Sequence, residues 1–365
     1  MPARDMRRTP AVPVDRPRQC GAASAARPAL MSRVGVVVIG RNEGERLPRC
    51  LASVSGLGLP LVYVDSDSTD GSVPRARSME CAILRLDPTC PLSAGRARNE
   101  GFSQLRQTHP ILQFIQFVDG DSELNPNWLK TAMQALIQQP KVAIVSGRLQ
   151  ERNPGASIYN RLCDMEWDTP VGDATECGGN AMVRVSAFEE VGGFDTRFVG
   201  AEGEEPELCL RLRRKGWRIL RLDAEMGWHD AAMSQFAQWW KRSLRSGRGF
   251  AKAAAKHRRG PERYRVRMVA SNMFWGLLMP LGALLTSMFL SGWCALILGS
   301  YPAMMLKIAL GRVRRGARLR DACLYGIFTM LGKIPSALGQ ALFWGNRPFG
   351  RSPKLIEWRA GSGRR

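Results

Sequence analysis

The chain has 365 residues, of which 45% are apolar and 23% are charged. This length and composition exclude a disordered or collagen-like protein and predict one large domain with a smaller part beside it. The formal net charge of +21 is unevenly distributed, because residues 241–365 hold 24 basic and 3 acidic side chains whereas residues 32–240 hold 23 basic and 27 acidic ones. Since the excess lies beside apolar segments and not on the near-neutral globular part, the pattern argues against a nucleic-acid partner.

The N-terminal residues and the cysteines indicate the compartment. Residues 1–32 form a basic stretch rich in Arg, Pro and Ala, without the apolar core of a secretory signal, and we predict a disordered tail. The nine cysteines are scattered and never form a C-x-x-C pair. Their spacing argues against a zinc site or a disulfide framework and is typical of a protein in a reducing compartment.

Alternating strands and helices are predicted from residue 34 onward. Runs of β-branched and other apolar residues predict buried strands at 34–39, 61–64, 83–86, 111–118, 142–146 and 218–222. The helical spacing of apolar residues predicts helices at 45–54, 128–138 and 204–215. This alternation predicts βαβ units, and in such sheets ligands bind beyond the carboxyl ends of the strands.

An uncharged stretch runs from Met268 to Met305. As a single helix it would be about 57 Å long, which is too long for a hydrocarbon layer of about 30 Å. We therefore predict a transmembrane hairpin in residues 268–310, made of helices near 270–290 and 292–310. The basic juxtamembrane segment 241–267 and the basic loop after the hairpin predict that both ends, and the globular domain, face the cytoplasm at the inner membrane.

A third apolar stretch, residues 322–344, is interrupted by Lys333 and Pro335. If it crossed the membrane, the basic tail would lie on the outer side, against the charge bias. We predict an interfacial or re-entrant helix here, within a C-terminal region of residues 311–365 that begins with a basic loop.

Two acidic clusters follow predicted strands. The first is Asp65-Ser66-Asp67-Ser68-Thr69-Asp70-Gly71, and the second is Asp119-Gly120-Asp121. Either cluster alone could be an Asp-rich turn that caps a helix. Two carboxylates at a strand end can also share Mg²⁺ or Mn²⁺ with a diphosphate, because these cations prefer oxygen ligands. Since both clusters follow strands of one sheet, we favour the second interpretation.

A third acidic cluster, Glu202-Gly203-Glu204-Glu205-Pro206-Glu207-Leu208, opens a predicted helix. Carboxylates in a first turn suit the helix dipole, so a purely structural role is one interpretation. The other interpretation is a general base, which would deprotonate the hydroxyl group of an acceptor.

Taken in order, the motifs in residues 33–230 resemble the family 2 glycosyltransferases with the GT-A fold. They are the segments Val36 to Glu43, Asp65 to Gly71, Asp119 to Asp121, Gly178 to Asn180, Val191 to Asp195 and Glu204 to Leu208. The resemblance implies an α/β protein with a Rossmann-like mixed sheet of the GT-A type in residues 33–240. The predicted transmembrane and interfacial helices would follow that domain.

The resemblance also implies a role for individual residues. Donor-binding residues would be Arg41, Asn42, Glu43, Asp65, Asp67, Arg98, Asp119, Gly120 and Asp121. Asp119 and Asp121, with His229, would be the ligands of Mg²⁺ or Mn²⁺, and Gly179 and Asn180 would lie on the acceptor side. The family's E-D-x-D-L base motif reads Glu204-Glu205-Pro206-Glu207-Leu208 here, so the aligned base is Glu205 in place of the usual Asp, with Glu204 as the alternative.

The reaction implied by the resemblance is an inverting, metal-dependent transfer from a nucleoside diphosphate sugar to a lipid-linked or saccharide acceptor at the membrane. The segment Gln238-Trp239-Trp240-Lys241-Arg242 keeps only the Gln of the Q-x-x-R-W motif of processive synthases, which favours transfer of a single sugar. Gly332-Lys333-Ile334-Pro335 is similar to bacterial members linked to exopolysaccharide or glycolipid assembly. A nucleotidyltransferase and a catalytically inactive membrane scaffold of the same fold stay open as alternatives.

Overall fold

The structure of the protein is a computed structural model that describes residues 31–198, 203–289 and 291–346, without the side chains of residues 288–298. Nearly all of the predicted disordered tail and the whole of residues 347–365 lie outside these described residues. Glu202, the first residue of the third acidic cluster, also lies outside them.

The described strands form one mixed sheet. They are β1 (Val34–Gly40), β2 (Leu61–Asp65), β3 (Ala82–Arg85), β4 (Phe114–Asp119), β5 (Ser122–Leu124), β6 (Val142–Glu151), β7 (Gly172–Ala174), β8 (Ala181–Arg184) and β9 (Arg218–His229). Their order is β3-β2-β1-β4-β8-β6-β9-β5, with β7 paired to β9. The first four strands are parallel, and β8 is antiparallel to both of its neighbours, β4 and β6. The predicted mixed α/β sheet is therefore confirmed.

Helices cover both faces of this sheet. They are α1 (Arg46–Ser55), α2 (Ser72–Ser78), α3 (Ala94–Thr108), α4 (Trp128–Gln138), α5 (Ile158–Trp167), α6 (Val185–Glu190) and α7 (Glu204–Arg214). Residues of α1 and α4 pack in one apolar cluster with one face of β1, whereas residues of α3, α6 and α7 pack in a second cluster with the opposite face. The sheet is therefore buried on both sides, as its uninterrupted apolar strands require.

The parallel strands end together at one edge of the sheet. Gly40 at the end of β1 pairs with Asp65 at the end of β2, and Ile39 pairs with Asp119 at the end of β4. This register brings the two predicted acidic clusters to the same edge, on either side of β1.

Helix α3 was not predicted, and its buried side explains why. Most of its buried positions are small residues, Gly95, Ala97 and Gly101, and Leu105 is the one large apolar residue among its buried positions, so the apolar periodicity that marks a helix in a sequence is weak. A Cβ atom at Gly101 would lie 2.5 Å from Val37 Cγ1 and 2.8 Å from Val64 Cγ2. The helix therefore packs directly on the sheet through its small residues.

Strand β9 is longer than predicted, since it continues from Leu222 to His229. The exposed side chains of Asp223 and Glu225 interrupt the apolar run, which is why the sequence indicates an end near residue 222. The backbone nevertheless continues to pair with β6 and then with β5. His229 is consequently the last residue of a strand and is held by the sheet.

Seven further segments follow the α/β unit. They are α8 (Phe236–His257), α9 (Val266–Met273), a π-helical segment (Phe274–Leu278), α10 (Met279–Phe289), α11 (Ser291–Val313), α12 (Leu319–Leu331) and α13 (Lys333–Asn346). A third apolar cluster joins α5, α8 and α12 and includes Cys163, Trp239 and Phe328. Arg161 of α5 also pairs twice with Asp321 of α12, at 3.1 and 2.5 Å.

Helix α8 carries much of the basic segment that the sequence places beside the membrane. Several of its cations pair with carboxylates of the α/β unit: Arg242 lies 2.7 Å from Glu166, and Lys256 lies 2.5 Å from Asp195. Part of the positive charge in residues 241–267 is therefore neutralised within the protein. The assignment of this segment to the membrane surface stays a prediction.

Two described helical stretches, Val266–Ser287 and Leu319–Asn346, are long and apolar enough to cross a membrane by length and composition. The first corresponds to the first predicted span. The second predicted span, 292–310, is helical within α11. The stretch 322–344, predicted to be interfacial or re-entrant, belongs to α12 and α13, which are separated at Gly332. The arrangement of these helices in a bilayer stays a prediction.

Helices α8 and α13 are in close backbone contact at two glycines. A Cβ atom at Gly247 would lie 2.1 Å from the carbonyl oxygen of Ser336, and one at Gly339 would lie 2.1 Å from that of Leu244. Small residues are the usual means of bringing two helix backbones this close, in membranes above all.

We expect Gly339→Ala to separate α8 from α13 and to lower the stability by about 1–3 kcal/mol, as overpacking does. Gly345→Ala is the matched control, because a Cβ atom at this position of the same helix meets nothing within 4 Å. Thermal unfolding of the detergent-solubilised protein checks this. Equal melting temperatures for the two variants would contradict the close contact.

Candidate active site

The D-x-D motif lies between β4 and β5. Asp119 is the last residue of β4, and the Gly120 amide donates a hydrogen bond of 2.8 Å to the Ile39 carbonyl oxygen of β1. A Cβ atom at Gly120 would lie 3.1 Å from that same oxygen, so the turn favours glycine. Asp121 is buried, with 7% of its surface exposed. The two carboxylates are thereby fixed to the edge of the sheet.

His229 joins this motif through strand pairing. It is the register partner of Ser122 between β9 and β5, and the Asp230 amide donates to the Asp121 carbonyl oxygen at 2.9 Å. The His229 Nε2 atom lies 3.3 Å from Asp121 Oδ1. The potential ligand atoms of Asp119, Asp121 and His229 all lie within 4.8 Å of one another.

This donor set fits a divalent cation. Two carboxylates and one imidazole within one coordination sphere suit Mn²⁺, and carboxylate oxygens also suit Mg²⁺. The three residues are therefore a candidate metal site, made of the ligands that the family resemblance implies.

Trp167, at the end of α5, is a component of the site that sequence reasoning missed. Its ring meets the His229 ring edge-to-face, with 4.5 Å between the centroids. A single Trp in a helix is usually a packing residue, so no pattern distinguishes this one before the fold is known. The contact restrains the imidazole beside the carboxylates.

Asn180 and Gly179 lie directly against Asp119. The Asn180 Oδ1 atom accepts the Asp119 amide at 3.0 Å, and Asn180 Nδ2 donates to Asp119 Oδ2 at 3.3 Å and to Ser122 Oγ at 3.2 Å. A Cβ atom at Gly179 would lie 2.2 Å from Arg98 Nη2. Both residues thus position the metal-site carboxylate, and their predicted acceptor-side role stays a prediction.

Arg98 connects the D-x-D motif to the candidate base. Its guanidinium is 2% exposed and donates to Asp119 Oδ1 at 2.7 Å and to Glu205 Oε1 at 2.9 Å. It also lies 5.3 Å from the centroid of the Phe194 ring. Buried charges need partners of this kind, and a planar guanidinium can hold two carboxylates at once.

Glu204 and Glu205 differ sharply in their environments. The Glu205 side chain is 17% exposed, whereas Glu204 is completely buried and neither of its carboxylate oxygens forms a hydrogen bond to another described residue. Burial, and then the charge of Glu205, raise the pKa of Glu204 to about 8. Of the two, Glu205 is the carboxylate with access to the site.

The loops after β1 and β2 are joined to each other. The Asn42 amide donates to Ser68 Oγ at 3.0 Å, and Asn42 Oδ1 accepts the Thr69 amide at 2.8 Å. The Gly44 amide donates to Asp70 Oδ2 at 2.7 Å. The two loops that contain most of the predicted donor contacts therefore form one unit.

Four other predicted donor residues lie in or beside these loops. Asp65 is fully buried and accepts hydrogen bonds from Tyr63 Oη and the Ser68 amide, both at 3.0 Å. Asp67 is half-buried and adopts a positive φ of 64°. Arg41 is half-buried, and Glu43 pairs with Arg46 at 3.1 Å. Their contacts with a nucleotide stay predictions.

Comparisons with known proteins decide the family. Residues 114–311 match the model of glycosyl transferase family group 2, and residues 35–192 match that of glycosyl transferase family 2. The chain belongs to the family 2 glycosyltransferases. The transferase has the GT-A fold. Its structure is similar to that of a mannosyltransferase from Pyrobaculum calidifontis, which was solved with GDP-Man and Mn²⁺. The two structures have a TM-score of 0.57 and 19% sequence identity, and the match covers 85% of this chain and 87% of that one.

The transferase is also similar in sequence to curated proteins that are named as glycosyltransferases. It is 26% identical over 227 residues to a glucomannan 4-beta-mannosyltransferase of Arabidopsis thaliana. This match covers 56% of this chain and 39% of that protein. It is 23% identical over 241 residues to a probable glycosyltransferase of Bacillus subtilis. This match covers 60% of this chain and 55% of that protein. The transferase spans only about two fifths to about half of these relatives' lengths.

We expect Asp121→Asn to weaken Mn²⁺ binding by more than about tenfold. Substitution of a residue that only hydrogen-bonds a metal ligand already lowers metal affinity by about tenfold or more, and Asp121 would contact the metal directly. Titration of Mn²⁺ followed by electron paramagnetic resonance measures this in the absence of any nucleotide. Asp173→Asn, on the exposed strand β7, is the control and should bind as the wild type does. Unchanged binding in both variants would argue against the metal site.

The two buried glutamates of α7, Glu204 and Glu207, should make the stability of the protein depend on pH in opposite directions. Glu204 keeps its proton in the folded transferase up to a pH of about 8 but has an ordinary pKa of 4.5, so stability falls as the pH rises between these values. Glu204→Gln removes this loss. The melting temperature of this variant should exceed that of the wild type by a margin that grows from pH 5 to pH 8. Each kcal/mol of difference in the free energy of unfolding corresponds to about 2–4 °C.

Glu207→Gln is the matched control for this experiment. Burial raises the pKa of Glu207, but hydrogen bonds from Lys256 and Arg211 outweigh burial and lower it below 4.5. Glu207 therefore stabilises the fold above that pH, and its substitution should lower the melting temperature at neutral pH, with the deficit shrinking in acid. Parallel pH profiles for the two variants would contradict this assignment.

Proposed function

We propose that the transferase moves one sugar from a nucleoside diphosphate sugar to an acceptor hydroxyl at the membrane surface, with inversion at the anomeric carbon. The observation that carries this proposal is the bridge made by Arg98 between Asp119 of the candidate metal site and Glu205. It keeps a proton acceptor beside the carboxylates that would face the diphosphate. A site of this kind can bind a donor and deprotonate an acceptor in one place.

The donor would lie along the edge formed by β1, β2 and β4. Asp65 and Asp67 would face the nucleoside, and Arg41, Asn42 and Glu43 of the first loop would line the same pocket. GDP-mannose is the first donor to test, because the named curated relatives include a mannosyltransferase and the solved neighbour was crystallised with GDP-Man.

Asp119, Asp121 and His229 would hold the metal ion, either Mg²⁺ or Mn²⁺. When bound, the cation neutralises charge that develops on the diphosphate leaving group. Asn180 and Trp167 support two of the three ligands, Asp119 and His229 respectively, through the contacts described above. Arg98 donates to Asp119 Oδ1, whereas Asn180 donates to Oδ2, so both oxygens of this carboxylate are held.

Glu205 would be the general base. Its partly exposed carboxylate would accept the proton of the acceptor hydroxyl as the oxygen forms a bond to the anomeric carbon. The bond from that carbon to the diphosphate oxygen breaks on the opposite face, and the nucleoside diphosphate leaves with the electron pair. Because Glu204 is buried beside it and keeps its proton near neutral pH, Glu205 is the better supported of the two predicted bases.

The C-terminal segments would hold the transferase at a membrane. We infer a hairpin in residues 268–310, flanked by the basic segments 241–267 and 311–320, with the catalytic domain on the cytoplasmic side of the inner membrane. The apolar stretch Val266–Ser287 supports the first helix of this hairpin by its length and composition, whereas the second stretch, Leu319–Asn346, lies outside the hairpin. A lipid-linked or saccharide acceptor, in exopolysaccharide or glycolipid assembly, is the substrate that suits such a location.

Transfer of a single sugar is favoured over processive synthesis. Gln238, the one retained residue of the processive motif, accepts the amides of Ser234 and Gln235 at 2.8 and 3.0 Å. Its side chain is therefore part of a capping box at the start of α8, where it stabilises a helix end.

We expect Glu205→Gln to bind the donor and Mn²⁺ as the wild type does but to transfer sugar about 10²–10⁴-fold more slowly, which is the usual contribution of a general base. Release of the nucleoside diphosphate measures the rate, and nuclear magnetic resonance of the product reports inversion at the anomeric carbon. Glu190→Gln, on the exposed end of α6, is the control that should keep full activity.

Two results would contradict the proposed function. Release of inorganic pyrophosphate with formation of a nucleotide–sugar bond would identify a nucleotidyltransferase. A failure to bind any UDP-, GDP- or dTDP-sugar with either metal would support a catalytically inactive scaffold.

A further inference from the structure

Two helix irregularities meet within the apolar C-terminal region. The stretch Val266–Ser287 contains the π-helical segment Phe274–Leu278, and α12 is separated from α13 at Gly332. A Cβ atom at Gly276 would lie 2.1 Å from the carbonyl oxygen of Lys333, so the π-helical segment packs directly on the start of α13. Single turns of π-helix occur frequently at functional sites.

Lys333 places a cation at this junction. Its Nζ atom donates to Ser271 Oγ at 3.2 Å and to Asn272 Oδ1 at 2.9 Å. Among the residues that the structure describes, no carboxylate forms an ion pair with this half-buried ammonium group. A charge without a counter-charge in an apolar helical region is costly, and such residues are commonly functional.

Asn272 adds a second group without a partner. It is 3% exposed, and its Oδ1 atom faces Lys333 because an ammonium group can only donate hydrogen bonds. Its Nδ2 group is then a buried donor that has no hydrogen-bond partner among the described residues. The junction therefore offers an ammonium proton, two amide protons and the Ser271 hydroxyl. Donors grouped in this way suit an anion with several oxygen acceptors.

The junction is connected to the active site by aromatic packing. A Cβ atom at Gly332 would lie 3.5 Å from Trp239 Cζ2. Trp239 belongs to the third apolar cluster, and Trp167 packs against that same cluster. Trp167 in turn meets the ring of the metal-site residue His229. A lipid whose head group lay at the junction would thus have its polar end close to the catalytic domain.

We propose that Lys333, Asn272 and Ser271 bind the phosphate group of a membrane lipid whose chains lie along the apolar helices. This site goes beyond the D-x-D and base residues and deepens the proposed function, on which it rests for the idea that the acceptor is carried by a lipid. The ammonium and the free amide protons recognise phosphate oxygens, and the surrounding apolar helices accommodate the chains.

The test uses the whole detergent-solubilised chain and phosphatidic acid as the probe, with phosphatidylcholine as the lipid that lacks a phosphate monoester. Native mass spectrometry measures the fraction of protein that retains each lipid. We expect the wild type to retain phosphatidic acid preferentially and Lys333→Met to lose this preference by about tenfold, as the removal of a charge-assisted hydrogen bond does. Lys307→Met, which removes an exposed lysine of α11, is the control and should bind as the wild type does.

A second variant guards against a loss of folding. Asn272→Asp replaces the amide with a carboxylate of nearly the same shape, 2.9 Å from the Lys333 ammonium group. This carboxylate should form an ion pair with Lys333 in place of the lipid phosphate. The variant should therefore lose phosphatidic acid retention while its melting temperature is maintained. Retention of phosphatidic acid by both Lys333→Met and Asn272→Asp overturns the proposal. So does equal competition by inorganic phosphate without any preference for the lipid, because the site would then take free phosphate.

Hydrolysis of the sugar donor by water, measured on the same samples, separates this inference from the proposed function. If the wild type retains phosphatidic acid through Lys333 but hydrolyses no donor, the lipid site stands and the proposed reaction fails. If donor is hydrolysed by all variants while no variant differs in lipid retention, the reaction stands and the lipid site fails.

Discussion

The buried guanidinium of Arg98 is the interaction on which the active site depends. It is enclosed at 2% exposure and holds Asp119 and Glu205 at hydrogen-bond distance, one from the sheet and one from α7. A buried ion group of this kind is stable only when every charge has a partner, so the positions of the three side chains are fixed together. Gly179 allows this close arrangement because no side chain competes for the space. The candidate metal site and the proposed base are consequently parts of a single charge network.

The sequence predicted the part of the fold that rests on continuous apolar strands. The ends of β2 and β4 at Asp65 and Asp119, together with the first turn of α7, lie within a residue or so of their predicted positions, because buried parallel strands and acidic strand ends leave a clear pattern. Helix α3 was missed because most of its buried positions are Gly and Ala, which give only a weak apolar periodicity. The same helix carries Arg98, so the segment was identified by its resemblance to a family and not by its secondary structure.

Other features of the site depend on tertiary contacts that a sequence does not display. The extension of β9 to His229 requires pairing with β5 and β6, which are distant in the chain. The contact between Trp167 and His229 joins α5 to β9, and the separation of Glu204 from Glu205 by burial depends on the packing of α7 against α3. Two adjacent glutamates look equivalent in a sequence, and only the packed core distinguishes Glu204, which is completely buried, from Glu205, which is partly exposed.

Two side chains at the end of α8 connect this helix to α7. Lys256 and His257 both contact Glu207, which lies two residues after Glu205 in the first turn of α7, and the same helix is in backbone contact with α13. A displacement of α13 along its axis would therefore move α8 and strain the start of α7. These contacts link the apolar helices to the start of α7, which carries the proposed base Glu205, so in the proposed membrane arrangement the thickness or tension of the bilayer would act as a force on the position of that carboxylate.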